Sequence, residues 1–141
     1  MLNKTALCDL MPHSGTMCLI DELIEWDQER ILCRTRSHLS PENPLRNNNR
    51  LSAIHAAEYG AQAVGLHGGL MSQAAGDQPQ AGLLVGLRGV KLHRPYLDQT
   101  DAALTIEAHR LLADSLNLLY AFTLILDHEP VAEGRVAIIK D

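Results

Sequence analysis

His55, Glu58 and Gln62 fall at i, i+3 and i+7 of a segment whose other residues are small or apolar, so a helix places all three on one face. A carboxylate in such surroundings must be solvated in a cleft, paired, or raised in pKa, and the last state suits general acid/base work near neutral pH. The alternative is structural, with Glu58 paired to His55 or a neighbouring arginine on a wet face. A metal reading is weak, because no HExxH occurs and no second ligand pair has recognisable spacing. GLLVGLRG at 82–89 lacks the spacing of a phosphate-cradling loop, so its glycines are read as sheet bends.

The elements that must position these residues are legible in the hydrophobic pattern. Residues 17–26 and 31–38 alternate as two strands of an antiparallel hairpin, with Cys18, Ile20, Ile24 and Trp26 expected on one side of the first. Residues 40–50 (SPENPLRNNNR) form a loop. Ser52 then caps a helix expected over about 53–67, ended by Gly65, Gly68 and Gly69. A polar stretch at 71–81 leads to four more strands, at 83–93, 102–113, 116–126 and 131–139. The strand 116–126 is apolar on both sides and needs a second cover, which a dimer interface would supply. Six strands with one long helix after the second predict an α+β fold, a strongly bent antiparallel sheet wrapped around a single central helix, in one domain over 1–141.

Composition narrows the function classes. The chain has 141 residues, 46% of them hydrophobic, and a net charge of -5. That acidic balance and only five aromatic residues argue against a nucleic-acid partner. No apolar run is long enough to span a bilayer and no signal peptide is recognisable, so a cytoplasmic protein with no membrane partner is expected. Cys8, Cys18 and Cys33 form no CxxC pair and are read as buried thiols.

Three segments in order carry a resemblance. LMPHSGTMCLIDEL, EYGAQAVG from Glu58 and VKLHRP resemble the LPH-x4-LLVD start, the E/D-x3-Q-x2-G central-helix motif and the VKFxRP-type strand of the β-hydroxyacyl-acyl-carrier-protein dehydratases. The chain is most similar to the dehydratase-like proteins of aryl-polyene pigment clusters. The resemblance implies the hotdog fold, a dimer, and dehydration of a 3-hydroxyacyl thioester carried on the phosphopantetheine of an acyl carrier protein or on coenzyme A, without metal or redox cofactor. It assigns Glu58 as the acid, Gln62 as its orienting partner, and the Ala53 N–H as the donor that polarises the thioester carbonyl.

The family's second catalytic group is a loop histidine fourteen residues before the carboxylate. That position here is Pro44, and 43–52 contains no histidine. The base must come from a histidine-bearing hotdog partner, or from His55, the nearest replacement in the chain. His13 matches the opening motif and is read as structural; His38, His67, His93, His109 and His128 are read as surface or edge residues. Gly60, Ala61 and Val64 are expected to flank an acyl chain between subunits, and Arg46, Arg50, Lys91 and Arg94 to meet an acidic carrier protein. A hotdog thioesterase and a non-catalytic acyl-binding partner remain the alternatives.

Overall fold

A computed structural model describes residues 3–10, 17–76 and 82–140 of the chain. A short helix α1 (Lys4–Asp9) leads to β1 (Glu22–Trp26) and β2 (Arg30–Thr35), then a 3-10 turn at Ala53–His55 runs into the long helix α2 (Ala56–Ala74). Four strands follow: β3 (Gly82–Leu92), β4 (Leu104–Ala113), β5 (Asn117–Leu126) and β6 (Glu129–Lys140). They form one antiparallel sheet in the order β1-β2-β4-β5-β6-β3, so the chain crosses from one side of the sheet to its far edge through α2. This is the hotdog arrangement that the resemblance implies.

The core lies between α2 and the inner face of the sheet. Ile106 of β4, Phe122 and Leu124 of β5 and Val136 of β6 meet Tyr59, Ala63 and Leu66 of α2, all essentially inaccessible to water. Each fully buried aliphatic or Phe side chain of this kind contributes about 1.5–3 kcal/mol. On β5 only the side with Tyr120, Phe122, Leu124 and Leu126 is covered; Leu119, Ala121 and Ile125 on the outer side stay half-buried within this chain.

Several local expectations change. Residues 17–20 are not in a strand, and a register shift between Leu23 and Glu25 turns Ile24 outward. α2 continues to Ala74, past all three glycines expected to stop it. Glycine at 69 serves close packing instead, since a Cβ there would lie 2.5 Å from the Leu10 carbonyl oxygen. Helix continuation also absorbs the first part of the expected 71–81 connection, while 77–81 lie outside the described residues.

Cys8 and Cys18 are joined in a disulfide rather than present as thiols, with Cα atoms 5.8 Å apart. Cys33 is free and buried, its thiol pushed up to about 12 by burial. His38 and His67 are wholly buried, not surface residues. His67 sits in a polar pair within the core: one ring nitrogen, Nε2, faces the Asp27 carbonyl at 2.7 Å and the other, Nδ1, faces the Tyr120 hydroxyl at 2.5 Å. A carbonyl can only accept, so Nε2 carries the proton and the Tyr120 hydroxyl donates to Nδ1.

Candidate active site

The start of the helix is clamped by long-range backbone bonds. Leu97 N–H donates to Leu51 O and Ala53 N–H donates to Pro95 O, each at 2.9 Å, while the Ser52 hydroxyl caps Ile54 N–H at 3.3 Å. Ala53 therefore cannot serve as the thioester donor assigned from the resemblance: its single N–H is already occupied. His55 stands at the α2 N-cap, on the wall of a cleft of about 420 Å³ whose other walls include Asn47, Asn48, Arg50, Ile54 and Tyr96.

Glu58 follows in the first turn of α2, half-buried. Gln62, buried one turn later, donates from Nε2 to Glu58 Oε1 at 2.9 Å. The other contacts of that amide fix which way it points. Nε2 also donates to Met17 O at 2.7 Å, and Oε1 accepts from Leu19 N–H at 2.8 Å. A flipped amide would set a carbonyl oxygen against Met17 O and an NH2 group against Leu19 N–H. Gln62 is thus held as a donor to Glu58 Oε1.

The loop that would bear the family histidine is held by hydrogen bonds of its own without one. Pro44 is exposed, and Asn43 beside it is buried, donating from Nδ2 to Ser37 O at 2.8 Å and to the Tyr59 hydroxyl at 3.1 Å. Its Oδ1 accepts from Leu45 N–H at 2.9 Å. Tyr59, whose phenol burial pushes up to about 12, thereby ties the loop to the helix next to Glu58 as a neutral group. In the sequence this anchor leaves one signal, Asn43 directly before Pro44 and Tyr59 directly after the helix carboxylate Glu58.

Seven other assignments divide. Gly60 is buried, and a Cβ there would lie 2.5 Å from the Phe122 ring, so it packs against the sheet rather than an acyl chain. Val64 is likewise a core residue, at 2% exposure. Ala61 alone of the three lies on the partly exposed helix face, which continues through Gly65 and Gly68. Among the cations, Arg46 is a structural residue: it donates to His38 O, Asn49 O and Asp98 Oδ2 at 3.0, 2.9 and 3.0 Å and its side chain is only 14% exposed. Arg94 pairs with Glu129 at 2.9 Å. Arg50 lies over the Tyr96 ring at 3.8 Å with much of its guanidinium open, and Lys91 is exposed.

His13 lies outside the described residues. Among those described, no cluster of three or more His, Cys, Asp or Glu side chains could hold a metal ion, and no helix is long and apolar enough to cross a membrane.

The model of the ApeP-like family, described as ApeP dehydratase, matches residues 5–141. The chain belongs to the ApeP-like dehydratase family. Among solved structures, the dehydratase heterocomplex ApeI:P from Xenorhabdus doucetiae matches with a TM-score of 0.86 at 22% identity, over 96% of this chain and 90% of that one. A sigma28-regulated virulence protein from Campylobacter jejuni gives 0.67 at 12% identity, over 96% and 95% of the two chains. A hypothetical thioesterase with coenzyme A from Streptococcus pneumoniae gives 0.64 at 11%, over 85% and 84%. These likenesses show the hotdog fold. No curated protein sequence matches the chain. The ApeP-like membership rests on nearly the whole chain, including Glu58 and Gln62.

Proposed function

We propose that this chain is one subunit of a 3-hydroxyacyl thioester dehydratase whose base is a histidine of a different hotdog subunit. The observation that carries the reading is the held half-site: Glu58 is fixed by Gln62 on a partly exposed helix face, while the loop position for the family histidine is an exposed proline. The ApeI:P relative is a complex of two different dehydratase subunits, which supports a mixed pair here as well.

In the reaction, the partner's base removes a proton from C2 of the acyl chain. Glu58 gives a proton to the C3 hydroxyl, which leaves as water and produces the trans-2-enoyl thioester. Because the Ala53 amide is bonded to Pro95, the hydrogen bond that polarises the thioester carbonyl comes from another donor. His55 is not the base in this reading; its place on the cleft wall beside Arg50 and Tyr96 suits contact with the incoming arm of the substrate carrier. Arg50 and Lys91, the cations left facing outward, are the points where an acidic acyl carrier protein would meet this chain. A substrate delivered on such a carrier places the work in the cytoplasm.

The test is turnover of a 3-hydroxyacyl thioester by the purified chain alone and after mixing with a histidine-bearing homologue. Dehydration only in the mixture supports the reading. Efficient dehydration by the chain alone, lost on His55→Ala, would transfer the base to His55, and release of free acid in place of enoyl product would make the protein a thioesterase.

A further inference from the structure

The Cys8–Cys18 bond ends inside the segment that orients the acid. Cys18 is 2% exposed and stands between Met17 and Leu19, whose carbonyl and N–H hold the Gln62 amide. Residues 17–20 lie in no strand, so no sheet ladder fixes them. The Leu19 carbonyl is held by the Thr35 and Ser37 hydroxyls at 2.5 and 2.6 Å. On the Met17 side, the covalent tie is to Cys8 in α1, a helix itself anchored by buried Leu7, by the Lys4–Asp21 ion pair and by Leu10 against Gly69.

We propose that the Cys8–Cys18 disulfide is a positioning element of the active site, which sets Gln62 and through it Glu58 and makes the acid responsive to redox conditions. The proposal rests on the reading of Glu58 as the dehydratase acid. A dithiol reductant opens the bond when its thiolate attacks one sulfur to form a mixed disulfide, which its second thiol then resolves. Two electrons and two protons pass to Cys8 and Cys18, and the reductant leaves as its own disulfide. Once opened, the Met17 carbonyl is no longer tethered, the Gln62 amide loses one of its two fixed ends, and the donor to Glu58 Oε1 is free to turn away. Cys33, buried in the sheet, takes no part in the exchange. Cytoplasmic conditions keep most thiols reduced, so the oxidised, well-positioned form marks a change in the redox poise around the enzyme.

The experiment uses the complex of this chain with its histidine-bearing partner, oxidised with glutathione disulfide or reduced with dithiothreitol. Alkylation of the denatured chain followed by mass measurement counts its free thiols. One alkylated cysteine of the three is expected in the oxidised sample and three in the reduced one. On reduction, hydrogen exchange at the Leu19 amide should quicken at least ~10-fold while β5 amides keep their protection. In the same samples kcat should fall about 10- to 100-fold with little change in KM. The Cys8→Ser/Cys18→Ser double variant should show the lower kcat under both conditions. Three reactive thiols after oxidation, or unchanged Leu19 exchange and kcat after verified reduction, overturns the proposal. If both forms lack dehydratase activity while Leu19 exchange still responds to reduction, the positioning role stands and the assignment of Glu58 fails.

Discussion

The side-chain amide of Gln62 donates to Oε1 of Glu58 at 2.9 Å while two backbone groups from a segment distant in the chain, Met17 O and Leu19 N–H, hold that amide in one orientation. The Glu58 carboxyl is thereby given a defined acceptor oxygen, Oε1. The arrangement separates the group that does the chemistry from the group that aims it, and the two respond differently to substitution.

Replacing the acid tests the chemistry. Glu58→Gln keeps the shape and can still accept from Gln62, but carries no transferable acid proton. Dehydration by the mixed complex should fall by roughly 100-fold or more. Size-exclusion chromatography with light scattering should show the complex intact, and loss of assembly together with activity would leave Glu58 a structural residue.

Removing the aiming group disturbs the fold as well. Gln62→Ala leaves Met17 O and Leu19 N–H without their partner in a buried setting, which costs about 1–3 kcal/mol. Urea unfolding should record that loss, whereas Glu58→Gln should leave the midpoint nearly unchanged. Equal destabilisation by the two substitutions would contradict this division of roles.

The contact of Gly60 with Phe122 predicts a steric penalty. A Cβ at residue 60 would sit 2.5 Å from the ring, so Gly60→Ala forces helix and sheet apart at a cost of about 1–3 kcal/mol. Adding Phe122→Leu should recover part of the loss in thermal melts. An unchanged melting temperature in the single variant would return Gly60 to the role of lining an open channel.

Acid sensitivity should come from two buried imidazoles. Burial holds His67 and His38 below their ordinary value of 6.5, despite the carbonyls of Asp27 and Ala102 that favour the charged form. Below that ordinary value the unfolded chain binds protons that the folded chain refuses, so the contribution is full above about pH 6.5 and is lost as pH falls toward the folded values. Urea midpoints should therefore decline between about pH 7.5 and 5.5, and His67→Gln should flatten that decline. A steeper slope in the variant would show that His67 is charged in the folded protein.

Much of this architecture was legible because it is local. Alternation at 31–38, 102–113 and 116–126 marked strands found as β2, β4 and β5 within a few residues, while Ser52 caps the 3-10 turn that runs into α2 and His55 stands at the N-cap of α2 itself. The hairpin face failed at Ile24, because a register shift is a property of the strand pair and not of one strand's pattern. Glycine at 65, 68 and 69 suggested an early helix end, but close approach by Leu10 and packing of the neighbouring turns override intrinsic propensity.

By itself the sequence determined the six strands and the long helix, though not the short α1, together with the placement of Glu58 and Gln62 one turn apart on a helix and the absence of a histidine at position 44. These follow from periodicity and from residue identity, which need no knowledge of what lies across the core. Only the tertiary structure decided that the Ala53 amide is taken by Pro95, that Arg46 serves Asp98, that Gly60 faces Phe122, and that Met17 and Leu19 aim Gln62 beside a Cys8–Cys18 bond. Each is a contact between segments distant in the chain. Hydrogen bonds and packing act over a few ångströms, so the partner of such a residue is chosen by the folded arrangement and not by its neighbours in sequence.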